Sequence, residues 1–423
     1  MRLKKMKPVQ MKFKSPALPY PSLLPLHWQR NLHFVLGLGV VTCIPAFAAD
    51  DAVFRPYVGY SFSYDDNVSG ISDANKKNQN LSDSDLSDTS HRAEAGLAIK
   101  KRISQQVLSA KLNLAHITSD RLGTLNNKDL LGNWNWHVGD HVEGNLGASY
   151  VQVLSPYVNF DTANIDNDKP NLRTQRREFF DGSWLLHPRW RLRGGLSRDQ
   201  LSYDINSAGD RNELTTELGL DYLAPSKSTF GVQLRHIRGD LPNALNLANS
   251  YDQNEIKGKV NWLLTEKTQL EFLGGYVQRK HDSDATRDFN GPNARLIAHW
   301  KPTGKIGVTL SGWREIGAIS QDAIGSPDNL TASYALNQGI SVGSTWDLTS
   351  KVQLGGQLKR ETSDYRGAES GGKDTFNTAS LKLVYRPTDH LQLAVLAQRK
   401  IRDSSDGDRT PNSGVMLSSR YEF

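Results

Sequence analysis

The chain has almost no cysteine and no long apolar segment. Its 423 residues include one cysteine, Cys43, which excludes a disulfide framework and a cluster of thiolate metal ligands. No run of 18 or more apolar residues occurs, so a helical membrane protein is excluded. No Pro- or Ser-rich linker or shift in composition divides the chain after residue 90, and we therefore expect one domain there.

Acidic residues are missing from the first 48 residues. This segment holds seven Lys and Arg, and subtracting them from the net charge of +6 leaves −1 for the remainder. The remainder therefore gives no reason to expect nucleic acid as a partner. A basic start, an apolar run and the small residues around Ala48 form the pattern of a cleaved secretory signal. We predict a signal peptide at 1–48 and one domain at 49–423.

Two other interpretations of this segment are weaker. A lipoprotein cleavage site at Cys43 would need a small residue before it, and Thr42 fits poorly. An uncleaved membrane anchor would need a longer apolar run than 34–41.

An aromatic residue recurs along the chain at intervals of 38 to 48 residues. Each ends an alternating segment, and after every one except Phe423 a short polar turn and a second alternating segment follow, as in the stretch KVNWLLTEKTQLEFLGGY at 259–276. Alternation with a period of two is typical of a strand with one apolar face. Every second residue of such a strand faces the same side, and we call the positions whose side chains face outward the outward parity and the others the inward parity. The repeated aromatic residues all have the outward parity; they are Trp136, Trp184, Tyr222, Trp262, Trp300, Trp346, Tyr385 and Phe423. We expect them to form an aromatic girdle at the inner interface of the membrane that the strands cross.

The alternating segments number about 18, and short turns alternate with long polar loops without exception after residue 100. This asymmetry is typical of outer-membrane barrels, whose short turns face the periplasm. We therefore predict an all-β fold, a single antiparallel transmembrane β-barrel with strands of roughly 9–11 residues. A soluble β-propeller can also repeat near 40 residues, but it packs four short strands into each repeat. Two long strands per repeat favour the barrel.

A second repeated position lies fourteen residues after the corner aromatic, on the same outward parity. It is occupied by Tyr150, Arg198, Tyr276, Arg314, Arg360 and Arg399. An arginine facing lipid is costly at the midplane but is tolerated at the interface, where it reaches phosphate. We expect these residues at the outer leaflet, in contact with membrane lipid and lipopolysaccharide; the alternative is a simple end to the apolar band.

The inward parity carries charges of both signs. The predicted lumen residues are Arg177, Arg191, Arg193, Arg235, Lys257, Lys259, Arg279, Arg295, Glu143, Glu217, Asp221 and Glu271. A polar lumen is either a wet channel or a salt-bridged interior, and both remain open at this point. The long polar loop from Asp65 to about Ser90 is the candidate for a plug.

Catalytic and metal-binding patterns are absent from the sequence. It contains no G-x-S-x-G, H-E-x-x-H or P-loop pattern. Asp83, Asp85 and Asp88 are spaced as in a calcium loop, but the glycine and the terminal Glu of an EF-hand are missing. We predict that the protein is not an enzyme and uses no metal or cofactor.

Two local features resemble known outer-membrane proteins. The first strand, RPYVGYSFSYDDNV at 55–68, resembles the start of the EpsL-type barrels encoded with exopolysaccharide operons. The C-terminal residues Val415, Leu417, Tyr421 and Phe423 resemble the signal read by the barrel-assembly machinery, from which Ser419 departs.

The resemblance to the EpsL-type barrels implies a place in the outer membrane of a Gram-negative bacterium. It also implies passage or docking of a secreted polysaccharide chain, with export components as partners. The alternatives are a general diffusion porin for small solutes and a non-conducting scaffold of an envelope assembly complex.

Overall fold

The computed structural model describes residues 53–157, 169–204, 207–243, 249–282, 285–317, 334–366 and 372–423. The predicted signal peptide at 1–48, its cleavage site and Cys43 lie outside these residues and remain predictions.

Eighteen strands make up almost all of the described chain. They are β1 (Phe54–Asp65), β2 (Asp88–Ile103), β3 (Gln106–Ser119), β4 (Gly123–Val138), β5 (Val142–Tyr157), β6 (Lys169–His187), β7 (Trp190–Tyr203), β8 (Arg211–Leu223), β9 (Thr229–Leu241), β10 (Asn249–Thr265), β11 (Thr268–His281), β12 (Phe289–Trp300), β13 (Ile306–Gly317), β14 (Tyr334–Asp347), β15 (Val352–Arg366), β16 (Lys373–Tyr385), β17 (Leu391–Ser404) and β18 (Arg409–Glu422). Short 3-10 turns cover Asp83–Asp85, Ser207–Gly209 and Ala285–Arg287.

Each strand pairs antiparallel with its neighbours in the sequence, and β1 pairs with both β2 and β18. The closing ladder runs from Tyr57 opposite Glu422 to Asp65 opposite Gly414. The predicted closed barrel of 18 strands is thereby confirmed. Closure leaves no edge whose backbone groups would face hydrocarbon unpaired.

Strand and loop lengths differ from the sequence-based expectation in two ways. The strands span 12 to 19 residues, longer than the expected 9–11, so they extend beyond the thickness that a bilayer requires. The β3–β4 connection spans only 120–122. The rim with the long loops is therefore uneven, which the strict alternation of short and long connections did not predict.

The two faces of the sheet differ as alternation requires. Large apolar side chains of one parity are exposed on the outer surface, as Ile256 (55% exposed) shows. Its neighbour Lys257, of the opposite parity, is 2% exposed. The apolar face thus points away from the barrel axis. The inner wall is polar, and most of its side chains are buried or half-buried.

The long loop between β1 and β2 is folded against the neighbouring strand. It contains the short helix α1 (Asp73–Asn78), capped by the Ser72 hydroxyl. The Asn67 side chain donates to the carbonyl of Pro411, and Ser72 donates to Asp408. These contacts fasten the loop to β18 and its preceding turn. They attach it to the rim beside the closing ladder, and a role of this loop as a plug stays a prediction.

The acidic stretch of this loop is organised by hydrogen bonds. The Ser82 hydroxyl and backbone N–H both donate to Asp85 and hold the pKa of its carboxyl below its usual range. Asp83 pairs with Lys76. Among the described residues, no helix is long and apolar enough to cross a membrane.

Closure of the barrel can be tested with a disulfide between β1 and β18. Ser61 and Ser418 are register partners, and partners in an antiparallel ladder have Cα atoms about 4.5–5.5 Å apart, within reach of a disulfide. In a Cys43→Ser background, Ser61→Cys with Ser418→Cys should cross-link on oxidation and change the mobility of the denatured chain in a non-reducing gel. The control pair, Ser61→Cys with Ser109→Cys, joins strands that are not neighbours and should stay unlinked. Equal behaviour of the two pairs would contradict a closed ladder.

Candidate functional site: the inward face of the barrel

The twelve predicted lumen residues all fall on the inward parity of their strands, as the ladder registers show. The structure brings five of them together on β7, β8 and β10: Arg191, Arg193, Glu217, Asp221 and Lys259. The remaining seven form smaller groups around the wall.

Asp221 is the centre of this cluster. Its carboxylate is fully buried and accepts hydrogen bonds from Arg193 Nε at 2.7 Å and Arg191 Nη2 at 3.2 Å. Lys259 Nζ lies 3.9 Å from it. Arg193 also reaches Glu217 at 3.3 Å. A buried carboxylate is stable only when its charge is compensated in this way.

The ionic contacts continue from this cluster along the wall. Glu217, Arg235 and Glu255 are register partners on β8, β9 and β10. Glu255 lies 2.9 Å from Arg235 Nε and 2.7 Å from Lys257 Nζ. The inner wall from β7 to β10 is therefore a salt-bridged surface rather than a set of separate charges in water.

Elsewhere the predicted lumen residues lie in smaller groups. Arg177 lies 3.5 Å from Asp199, and Arg295 lies 2.6 Å from Glu315. Glu143 lies 3.2 Å from His137, and Glu271 lies 3.7 Å from His299. Arg279 donates to Gln253 at 2.8 Å.

Four inward aromatic rings lie flat against the wall, each over a glycine of the neighbouring strand. The register partners are Tyr57 with Gly96, Phe179 with Gly147, Tyr251 with Gly239 and Trp313 with Gly339. A Cβ at Gly96 or at Gly239 would lie 2.1 Å from the ring of its tyrosine. Glycine has no Cβ and therefore leaves room for the ring to lie flat against the neighbouring strand.

Each of these rings also faces a cation. Arg420 lies 3.6 Å from the centre of the Tyr57 ring, and Arg279 lies 4.0 Å from that of Tyr251. Arg177 faces Phe179, and both Arg295 and Lys359 face Trp313. Glycine, ring and cation thus form layers that hold positive charge at fixed places on the wall.

The aromatic members of these layers were missed by the sequence analysis, which counted only charged residues as lumen groups. A signal was present, because each ring has the inward parity and its cross-strand partner is glycine. Reading that signal requires the exact register between strands, which the sequence pattern alone does not provide.

The wall departs from a regular cylinder between β12 and β13. Their ladder ends at Ala294 opposite Arg314, although β12 continues to pair with β11 and β13 with β14. Pro292, two residues beyond the last pair, has no N–H, and its carbonyl accepts a hydrogen bond from the Arg314 guanidinium. Proline suits a strand that lacks a partner on one side.

Beyond this point the ends of β13 and β14 fold over the inner wall. Ile316 and Tyr334 have the outward parity of their strands, yet they pack against Val277, which has the inward parity of β11 and is fully buried. The Tyr334 ring lies 6.0 Å from His281, and its hydroxyl donates to the carbonyl of Asp288. This folded end narrows the lumen on one side.

The corner aromatics all have the outward parity, and all except Phe423 lie beside the short turns. Seven lie in strands, and Phe423 directly follows β18. Trp136 stacks on Phe180 with ring centres 5.8 Å apart, and Trp300 is half exposed. Their role as an interfacial girdle remains a prediction.

The six predicted outer-leaflet residues also have the outward parity, but their surroundings differ. Arg198 lies opposite Glu178 in the ladder, and Arg314 is engaged with Pro292. Tyr150 lies under the guanidinium of Arg176, and Tyr276 is half exposed. Arg360 and Arg399 lie near one shared groove.

The part of the chain that the structure describes contains no group of three or more His, Cys, Asp or Glu side chains that could hold a metal. In particular, Asp83 and Asp85 take part in the hydrogen bonds of their own loop. The chemistry that the inward face supports is reversible contact with polar solutes, through charges, amides and hydroxyls.

Comparison with known families gives one match. The family model described as "Putative beta-barrel porin 2" matches residues 206–422, just over half of the chain. No curated protein matches the sequence.

Solved structures from Pseudomonas aeruginosa are similar to the chain at low identity. OccK1 (OpdK) has a TM-score of 0.48 and 10% identity and covers 88% of this chain and 99% of its own. OccK2 (OpdF) in complex with glucuronate has a TM-score of 0.48 and 10% identity, covering 87% of this chain and 98% of its own. A mutant of the ferric enterobactin receptor PfeA has a TM-score of 0.45 and 10% identity, covering 88% and 81%.

Removing the central carboxylate of the ionic cluster should destabilise the barrel. Asp221→Asn leaves the charges of Arg191, Arg193 and Lys259 without their shared partner, and breaking a buried ion pair typically costs about 3 kcal/mol. We expect the free energy of unfolding, measured by tryptophan fluorescence in a urea titration, to fall by about that amount. The control Glu266→Gln changes an exposed turn residue and should have little effect. Equal stability of the two variants would show that the cluster is not a stabilising element.

Shortening Tyr334 should uncover the inner wall beneath the folded end of β13–β14. In a Cys43→Ser background, Val277→Cys is buried and should react slowly with a water-soluble maleimide. Adding Tyr334→Ala removes the covering ring and should raise the labelling rate at least about tenfold. The rate is proportional to the fraction of molecules in which the thiol is exposed, and loss of the ring increases that fraction. Tyr276→Ala, which shortens a tyrosine on the outer face, is the control. An unchanged rate with Tyr334→Ala would contradict the proposed covering.

Proposed function

Since the chain belongs to this β-barrel porin family, we propose that it is an outer-membrane conduit that serves export of an exopolysaccharide. The observation that carries the proposal is the inner wall, where cations and carboxylates alternate and cations are fixed over aromatic rings. Such a wall offers a hydroxyl-rich chain many weak hydrogen bonds and no strong binding site. That combination suits passage, because a chain must enter easily and also leave.

The barrel is large enough for such a role. Eighteen strands spaced about 4.8 Å apart and tilted by about 40° give a backbone radius of roughly 18 Å. The folded end of β13–β14 reduces this opening from one side. The mixed sign of the wall suits a neutral chain, and the cations fixed over the rings also accommodate acidic sugars.

The partners expected from the sequence belong to this proposal. The chain would be exported by its signal peptide at 1–48, and the barrel-assembly machinery would read Val415, Leu417, Tyr421 and Phe423. In the membrane the aromatic girdle would contact lipid, and export components would deliver the polysaccharide from the periplasm. No catalytic role is assigned to any residue.

A second candidate is a selective porin for small solutes. The narrowing by Ile316 and Tyr334 favours it, since a constricted lumen passes a small solute more readily than a polymer. The two functions differ in what the isolated protein does in a bilayer and in what its loss does to the cell.

Gene deletion with complementation tests export directly. We expect deletion to abolish release of polysaccharide into the medium, and complementation to restore it. In planar bilayers the purified barrel should be closed or weakly conducting without its export partners. Unchanged secretion after deletion would overturn the export proposal, and an open pore that conducts small solutes selectively would then establish the porin. Absence of current together with a stable periplasmic partner and normal secretion would instead indicate a scaffold.

A further inference from the structure

A groove of about 370 Å³ lies on the lipid-facing side of β14–β17. Its apolar floor is formed by outward-facing residues, namely Ile340, Val342, Leu358, Ala379 and Ile401. Arg360, Asn377 and Arg399 line its polar part. The groove therefore joins an apolar floor to a cationic rim.

The groove lies towards the extracellular side of the apolar band. Arg360 is eight residues above the first residue of β15, and Arg399 is eight above the first residue of β17. A rise of about 3.3 Å per residue and a tilt of about 40° place both roughly 20 Å above the inner interface. The apolar band of such barrels is about 25 Å tall, so the two arginines lie in the outer leaflet.

The two arginines are arranged to share one anion. Arg360 is the register partner of Asn377, and Arg399 is the partner of Ala379, two residues further along the same strand. Strand spacing and rise therefore place their Cα atoms roughly 12 Å apart. Two extended arginine side chains span that distance and can meet on a single phosphate, which guanidinium groups bind in a bidentate manner.

Neither arginine has an ion pair with a carboxylate among the described residues. Their ladder partners are Ile340 and Asn377 for Arg360, and Ala379 and Ser413 for Arg399. Both side chains are exposed.

The nearest outward carboxylate in the ladder is already engaged. Asp403, two residues beyond Ile401, accepts from Asn377 at 3.5 Å and lies 3.9 Å from Arg409. A cation facing hydrocarbon needs an anionic partner, and the neighbouring protein groups do not supply one.

The other two predicted arginines are placed differently. Arg314 is engaged with the carbonyl of Pro292, and Arg198 lies opposite Glu178 in the ladder. The repeat in the sequence made the four arginines look equivalent, but Arg360 and Arg399 are the pair that lines this groove.

We infer that this groove binds lipid A, the phosphorylated acyl lipid of the outer leaflet, with an acyl chain on the apolar floor and a phosphate between Arg360 and Arg399. The inference rests on the proposed outer-membrane placement of the barrel, and it is independent of the cargo. Height favours lipid A over a phospholipid of the inner leaflet, and the paired guanidinium groups favour a phosphate over an uncharged headgroup.

The test measures lipid A that remains with the detergent-purified barrel, by native mass spectrometry. Arg360→Ser with Arg399→Ser should reduce bound lipid A at least about tenfold, since loss of a charge-assisted contact commonly changes affinity by about a decade. The control, Arg176→Ser with Arg238→Ser, removes the same charge from other exposed, outward-facing positions and should retain lipid A. Equal retention by the two double variants would overturn the inference, as would phosphatidylglycerol as the sole tightly bound lipid.

A second variant tests the apolar part and leaves both arginines in place. Ala379→Trp fills the floor of the groove and should also displace lipid A, and the change of gel mobility on heating reports whether the barrel is assembled. Retained lipid A in an assembled Ala379→Trp barrel would contradict the inference. Polysaccharide secretion is measured in the same strains. If the double arginine variant loses bound lipid A but secretes normally, while the deletion strain does not secrete, both the lipid A site and the export function are supported, and export does not depend on this groove. If the deletion strain secretes normally, the export proposal fails, whatever the result for lipid A.

Discussion

The structure depends on one constraint, that every backbone N–H and C=O group in hydrocarbon must find a partner within the protein. A sheet meets it only by pairing its first strand with its last, and β1 and β18 do so over nine register pairs. Closure then fixes the environment of each side chain, because alternate residues point towards the lipid and towards the barrel axis. The β12–β13 ladder stops at Ala294 and Arg314, and beyond this pair lies a proline without an N–H whose carbonyl is capped by an arginine.

The inner wall is built by a second rule, which concerns charge. Removal of a carboxylate from water is costly unless cations surround it, and Asp221 and Glu255 each sit between two or more. Rings that lie flat over glycines fix further cations in place. The wall is therefore both the interior packing of the barrel and the surface that a solute would meet, so stability and passage draw on the same residues.

Much of this organisation could be predicted from the sequence because its signals are local. Period-two alternation, the recurring corner aromatics and the short turns were sufficient for the 18 antiparallel strands, and parity alone put Lys257 inside and Ile256 outside. Features that depend on register across strands could not be predicted in this way. The layers of Tyr251 over Gly239, the inward fold of Tyr334 and the groove lined by both Arg360 and Arg399 join residues whose relation depends on how each strand is aligned with the next.

The central claim is that adjacent residues on one strand face two different solvents, and two neighbouring positions on β15 test it. Both Gln357 and Leu358 are exposed in the structure, the first towards the axis and the second towards lipid. In liposomes, and with Cys43→Ser, a water-soluble maleimide should label Gln357→Cys and leave Leu358→Cys unmodified. Labelling of Leu358→Cys as fast as Gln357→Cys would contradict the account.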